Sequence, residues 1–449
     1  MRYLPLTDAE REEMKKIIGI ADVDELFSCL PSGSRRPSLD RLPAALSEPE
    51  LVAAFRELAG KNAFSGHLSF LGAGAAAHFI PEVVSYLSGK GEFLTPYTPY
   101  QPEVSQGSLQ AIFEYQTMMA MLTGLDVANA SLYDGATAAA EAVLLAVRRS
   151  GRNRVLLAAS LHPEYAAVIR TYVQNLPIEL LTVAVDKATG RVDESDLRAR
   201  LDDGTAAFLF QSPNFLGVVE DGTAVAAAAH ERKAYAVQVV AEAMSLAYLT
   251  PPGDGGADLA VGEAQSFGLP LGFGGPYLGF MAVREEFMRQ MPGRLVGQTV
   301  DLDGKRGYVL TLSTREQHIK REKATSNICS NEAWCAMRAG MYLAVMGKAG
   351  LTRAARSCHL NAAYFARSAS KLKNVRVVYP RNFYNEVLVE VVKGSAAGMA
   401  AKLKKKGILA GVPLSWFDAG DTKRMLVSFS ELHDRKAIDR LLAAVGGVA

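Results

Sequence analysis

Between residues 154 and 242 the sequence alternates short, unbroken apolar runs with amphipathic stretches. RVLLAAS at 154–160 leads into a helix pattern, PEYAAVIRTYVQNL, then IELLTVAV, the turn KATGR and a helix beginning near Glu194. AAFLFQSP, a helix pattern over 221–233 and YAVQVVAE complete the series. A run that is apolar at every position, not at every second one, belongs to a strand buried on both faces. Such strands separated by helices predict a largely parallel, doubly wound α/β sheet with right-handed crossovers. Two further helix patterns, SLQAIFEYQTMMAMLTG and ATAAAEAVLLAVRRSG, precede the first run.

The rest of the chain has a different texture. At 449 residues it is too long for one simple core. Thr7-Asp-Ala-Glu10 and Ser47-Glu-Pro-Glu50 fit capping boxes, each opening an amphipathic run, with the polar connector SGSRRPSLD between them. Residues 1–60 therefore read as a helical arm and 61–329 as the large α/β domain. After residue 330, two long helix patterns lead to VRVVYP, NEVLVEVV, a helix near SAAGMAAKLKKKG, a strand around RMLVSFSE and a final helix. That order predicts a small α+β domain over 330–449 with an antiparallel sheet.

Charge and cysteines narrow the function. The 49 Lys+Arg against 47 Asp+Glu leave a net charge of +2, which gives no general drive towards nucleic acid or anionic membrane. Cys29, Cys329, Cys335 and Cys358 form no CxxC pair, which argues against a zinc site or disulfide framework and for a reducing compartment. The N-terminal residues have no apolar signal core, and no charge-free run is long enough to span a bilayer. A cytoplasmic protein is expected.

The chemistry turns on AVGEAQSFGLPLGFGGPYLGF at 260–280. In type I pyridoxal-phosphate (PLP) folds a turn like this presents the Schiff-base lysine. A strand-end carboxylate faces the pyridinium nitrogen, a helix start holds the phosphate, and a flat ring stacks on the cofactor. Here Gln265 stands where the lysine is expected, and no lysine occurs between Lys233 and Lys305. An amide forms no Schiff base. Glu242 ends a strand where the carboxylate would lie, or is a solvated strand-end residue. Asp134-Gly135-Ala136-Thr137 is placed like the phosphate cup, but Asp134 has the wrong sign for that role and suits a helix N-cap. His162 follows the strand RVLLAAS, either as the stacking ring or as a loop residue. The glycines of GFGGPYLG equally suit a tight turn between strands.

FLTPYTPYQPEVSQGSLQAIFEYQTMMAMLTGLDVANASLYDGATAAAEA (93–142) and STREQHIKREKATSNICSNEA (313–333) resemble the glycine decarboxylase P-protein of the glycine cleavage system. The arm YLPLTDAEREEMKKIIGIADVDELF and the stretch PPGDGGADLAVGEAQSFGLPLGFGGPYLGF are similar to it too, so the resemblance covers essentially the whole chain. It is to the N-terminal half, subunit 1 where the enzyme is split. The other half carries the PLP lysine in a loop resembling LHKTF, and laying EAQSF on that loop puts Gln265 at the lysine. His162 falls on that half's ring-stacking histidine.

The resemblance implies a type I PLP-dependent transferase-like fold, with a mainly parallel seven-stranded sheet and a smaller α+β C-terminal domain. It implies PLP on subunit 2 and none held covalently here, no metal, and an assembly of two αβ pairs. The implied reaction is an oxidoreduction: glycine is decarboxylated and its aminomethyl group passes to the lipoyl arm of H-protein. Type I sites are completed across a dimer interface, which makes the rigid, polar loop Thr95–Glu103 the first shared-site candidate, with Tyr97, Tyr100, Gln101 and Glu103. The string 314–325, with Arg315, His318 and Thr325, is the second; Lys320, Arg321 and Lys323 also fit a solvated face. The alternatives are a non-catalytic scaffold, or a self-sufficient PLP enzyme using Lys305 or Lys323.

Overall fold

The computed structural model describes residues 6–31, 34, 41–95, 97–326, 328 and 332–447. The connector at 32–40 (Ser34 excepted), Pro96, Cys329 and the domain boundary expected at 329/330 lie outside them. Two compact units are formed, one ending at Ser65 and one beginning at Gly66.

In the first unit both capping boxes form. The Thr7 N–H donates to Glu10 at 2.7 Å before helix Asp8–Ile18, and the Ser47 N–H donates to Glu50 at 2.8 Å before helix Glu48–Gly60. Each returns a carboxylate to a donor that the first helical turn cannot satisfy.

The second unit is built on a seven-stranded sheet. Its strands are β1 (Val127–Ala128), β2 (Arg154–Ala158), β3 (Glu179–Val183), β4 (Thr205–Gln211), β5 (Tyr235–Val240), β6 (Leu259–Glu263) and β7 (Gly279–Val283). The spatial order is β1-β7-β6-β5-β4-β2-β3, and β7 alone runs opposite in direction to the other six. All seven residues of β4 are buried, as are those of β6 and β7, which is what strands without a polar face require. Helices α1 (Gln106–Thr123), α2 (Gly135–Ser150), α3 (Pro163–Val173), α4 (Glu194–Arg200) and α5 (Gly222–Glu231) flank it. The alanine-rich α2 lies against β6 and β7, its small side chains allowing a close approach.

The sequence pattern does not announce the hairpin of β8 (Leu295–Val300) and β9 (Arg306–Thr311), whose exposed faces dilute its apolar period. The two helix patterns after residue 330 form two helical runs, together α6 (Ala333–Ala369), joined across a kink at the non-helical Gly347, where φ is 57° and ψ 178°. Its first part (Cys335, Ala339, Tyr342) joins the core under the large sheet. Its last turns (Ala362, Phe365, Ala369) join the core under the small one. The small sheet is antiparallel: β10 (Val375–Val377), β11 (Glu386–Val391), β13 (Arg424–Ser428) and β12 (Val412–Pro413), in that order.

One segment ties the two sheets together. The Phe70 N–H donates to the Leu409 carbonyl and the Ser428 N–H to the Phe70 carbonyl, after which the chain runs through Gly72-Ala73-Gly74 to His78. A Cβ on Gly72 would lie 2.2 Å from the Glu386 carboxylate, so only glycine passes there.

Candidate functional site

The ends of β5 and β6 and the N-terminus of α2 converge. A Cβ on Gly262 would lie 1.9 Å from the Val240 carbonyl oxygen, and one on Gly135 would lie 2.3 Å from the Tyr165 hydroxyl. Glycine at both positions lets helix and strands close on each other. Asp134 is the N-cap of α2: its Oδ1 accepts the Thr137 N–H at 2.7 Å, and the Thr137 hydroxyl accepts the Asp134 N–H at 3.2 Å. The buried Glu263 carboxylate shares this end. Its Oε2 accepts the Gly135 N–H at 3.0 Å, and its Oε1 those of Gln265 (3.0 Å) and Leu278 (2.7 Å). Burial pushes its carboxyl up to about 7 and neighbouring Asp134 adds to the rise, against the pull of the three backbone donors. The Gln265 side chain is buried as well, and its amide donates to the Leu269 carbonyl at 2.6 Å, closing the Gly-rich turn on itself.

Glu242 is neither solvated nor waiting for a ring, which corrects the solvated reading. Its Oε2 lies 3.2 Å from His78 Nε2, and its Oε1 accepts the Met244 N–H at 2.9 Å. The other ring nitrogen of His78 lies 2.8 Å from Glu431 Oε2, which is also 3.4 Å from the Cys358 thiol. Burial alone would push the His78 pKa down, but the two carboxylates outweigh it and hold the ring well above an ordinary histidine. His78 in turn holds Glu242 and Glu431 below the usual carboxylate range despite their burial.

His162 is the N-cap of α3, where its Nδ1 accepts the Glu164 N–H and its Nε2 lies 2.9 Å from the Ala73 carbonyl oxygen. A ring that accepts at one nitrogen and donates at the other is neutral, and burial lowers its pKa accordingly. It stands in the connection between β2 and α3, as a loop residue, but its ring is buried and packs T-shaped against Phe215 and Phe417. The side chains that a cofactor would need in this pocket are thus committed to partners within the protein, most of them backbone groups, and the lysine is absent. The residues do not fit covalently held PLP. Lys305 lies at the β8–β9 turn, exposed and 3.9 Å from Asp303, and Lys323 is exposed too.

The two outer candidates, far apart in sequence, come together. Buried Arg294 donates from Nη2 to the Tyr100 hydroxyl at 2.8 Å and stacks over its ring, 5.3 Å from the centroid. Its Nε lies 3.7 Å from Glu316, which is also 3.7 Å from His318 Nδ1, and the His318 ring meets Tyr100 edge-on at 6.0 Å. Tyr97 is 72% exposed; Gln101 and Glu103 are exposed too. Arg315 is not at this surface. It is buried and donates to the carbonyls of Leu312, Met291 and Gly293, shaping the turn that carries Arg294, and Thr325 hydrogen-bonds the Arg315 carbonyl. A shallow pocket beside Arg294 is lined by Gly293, Arg315, Glu316, Thr325 and Ser326.

Sequence reasoning misses His78, Glu263, Glu431 and Arg294. The available signals are a charge inside an apolar run for Glu263 and Arg294, and a lone histidine ending a small-residue tract for His78. Glu431 carries none.

A mainly parallel seven-stranded sheet with one antiparallel member, joined to a small α+β layer, defines a protein of the type I PLP-dependent transferase-like class. In this chain Gln265, not lysine, stands in the turn after β6. A sphingosine-1-phosphate lyase from Burkholderia pseudomallei shares the fold with a TM-score of 0.66 at 14% identity, over 93% of this chain and 94% of that one. Within the class, the chain belongs to the glycine cleavage system P-protein family, whose pattern matches residues 1–445. It is 46% identical to a probable glycine dehydrogenase (decarboxylating) subunit 1 from Koribacter versatilis, over the full length of both. A crystal structure of glycine decarboxylase (P-protein) of the glycine cleavage system, in inhibitor-bound form, superposes with a TM-score of 0.90 at 42% identity, again over all of both chains. Among the described residues no helix is long and apolar enough to cross a membrane.

Proposed function

We propose that this chain is subunit 1 of a glycine dehydrogenase (decarboxylating), working in the cytoplasm with a second P-protein subunit that holds PLP on its own lysine. In this reading the pair assembles as α2β2, decarboxylates glycine and hands the aminomethyl group to the lipoyl arm of H-protein. PLP supplies the electron sink for loss of CO₂. This chain contributes positioning: Tyr97, Tyr100, Gln101 and Glu103, backed by Arg294, Glu316 and His318, complete the partner's pocket.

The observation that carries the reading is the meeting of loop 97–103 with the 313–325 string around Arg294. The Tyr100 hydroxyl accepts from Arg294 and keeps its own proton to donate. A guanidinium, a hydroxyl donor and an imidazole side by side suit an anionic group such as a carboxylate, which here would share them with Glu316, 3.7 Å from both Arg294 and His318.

The test is reconstitution. Glycine-dependent bicarbonate exchange should require both subunits and lipoylated H-protein, and full exchange by either subunit alone would refute the division of labour. In the reconstituted pair, Tyr100→Phe should lower kcat/KM about tenfold, the loss of roughly one hydrogen bond to a charged group, and Tyr97→Phe by less. Unchanged turnover and KM in both would leave the chain a scaffold.

A further inference from the structure

Loaded enzymes of this class hold an anionic phosphate on a helix N-terminus and a protonated ring nitrogen against a strand-end carboxylate. Both features exist here, made of protein. The N-terminus of α2 carries the Glu263 carboxylate, which takes N–H donors from α2 (Gly135), from the turn after β6 (Gln265) and from the segment entering β7 (Leu278). Glu242, at the end of β5, faces the His78 ring at 3.2 Å. Glu431 meets the other nitrogen at 2.8 Å. Carboxylates only accept, so a ring that bonds one through each nitrogen must carry both protons. The tract Gly72-Ala73-Gly74 brings that ring in, with so little side chain that a Cβ on Gly74 would lie 3.0 Å from the His162 ring.

We propose that this chain carries a built-in substitute for the cofactor, the Glu263 carboxylate in place of the phosphate and the His78 imidazolium in place of the pyridinium. The type I unit thereby reaches its loaded shape with nothing bound in it. This goes beyond the shared-site reading and does not depend on it, since it concerns the isolated chain.

A divalent metal is the competing occupant. His78, Cys358 and Glu431 are close enough to ligate one. The 2.8 Å between His78 Nδ1 and Glu431 Oε2 is nevertheless a hydrogen-bond distance. Two atoms bound to one tetrahedral zinc at about 2.0–2.1 Å sit roughly 3.3 Å apart. The spacing favours a shared proton.

Chemical rescue tests the proposal on the full chain. Glu263→Ala and His78→Ala should each lower Tm by about 5 °C or more. Inorganic phosphate at about 20 mM should recover about half of the Glu263→Ala loss, beyond a chloride control at equal ionic strength, and imidazole should do the same for His78→Ala. Wild type should respond to neither. If a variant fails to fold alone, purification with its rescuing ion is the same test, because recovery of folded protein must depend on that ion. Tm losses that no small ion restores, or a wild-type chain stabilised by phosphate as strongly as the variant, would overturn the assignment. So would stoichiometric zinc in the purified protein that Cys358→Ser removes.

Discussion

The inner pocket and the outer rim use the same kinds of side chain in opposite ways. Inside, both carboxylate oxygens of Glu242, Glu263 and Glu431 accept a hydrogen bond from backbone or His78. At the rim, one buried guanidinium holds Tyr100, which is 50% exposed, beside a half-exposed His318. Polar groups satisfied internally fix a structure, whereas donors left at a surface can meet something else. On the proposed reading, the inner groups hold the fold and the rim meets the partner. Pocket substitutions should cost stability first and activity only through it, and rim substitutions the reverse.

The largest expected effect comes from breaking the inner network. His78→Leu leaves Glu242 and Glu431 buried without their cation, at a cost of about 3–5 kcal/mol in urea unfolding. Exchange activity per mole of folded complex should change by less than about twofold. A loss below about 1 kcal/mol would show that the network is not what holds the pocket.

Gln265→Lys asks whether the missing nucleophile is the only thing missing. The lysine would replace an amide that donates to the Leu269 carbonyl, inside a pocket already filled. The variant should be less stable and, with added PLP, should give no borohydride-sensitive aldimine absorbance. Appearance of that band would mean that one substitution separates this half from a working site.

At the rim, Arg294→Lys keeps the charge and loses the planar fork that reaches Tyr100 and Glu316 together. Activity of the reconstituted pair should fall about tenfold, about 1.4 kcal/mol, with a stability loss of about 0.5–1 kcal/mol. A fall in stability larger than the fall in activity would move Arg294 from the rim's function to the pocket's.

Much of this was readable in the chain. The unbroken apolar runs placed β2, β4 and β5 to within a residue or two, because two-sided burial leaves no polar period to misread; β3 matches its run equally well although it is the edge strand, with Glu179 and Thr182 exposed. The family-specific strings pointed to both halves of the rim. They did not point to Arg294, which lies between them in MPGRLVG and is fixed there by carbonyls that Arg315 gathers. The inner network was illegible for the same reason: His78, Glu242 and Glu431 belong to three separate segments, and only the fold brings them within 3.2 Å. Glu242 was visible as a strand-end acid, but its partner was not.

The smallest effect is also the sharpest on the question of sign at the helix start. Asp134 caps α2 and at the same time raises the Glu263 carboxyl, which burial has already pushed up to about 7 from an ordinary 4.5. Between those values the native state keeps a proton that the unfolded chain has released, so stability falls as pH rises through the window. Asp134→Asn keeps the cap, at a cost of about 0.5 kcal/mol or less, and removes the repulsion. The folded pKa of Glu263 should then drop, and less stability should be lost between pH 4.5 and about 7 than in wild type. Glu386, also near 7 through burial, titrates over the same range in both proteins, so the difference between the two curves reports the carboxyls that Asp134 raises, Glu263 and Glu332. Superimposable curves would mean that Asp134 acts as a cap alone, and that the carboxylate on α2 feels only its burial and its three backbone donors.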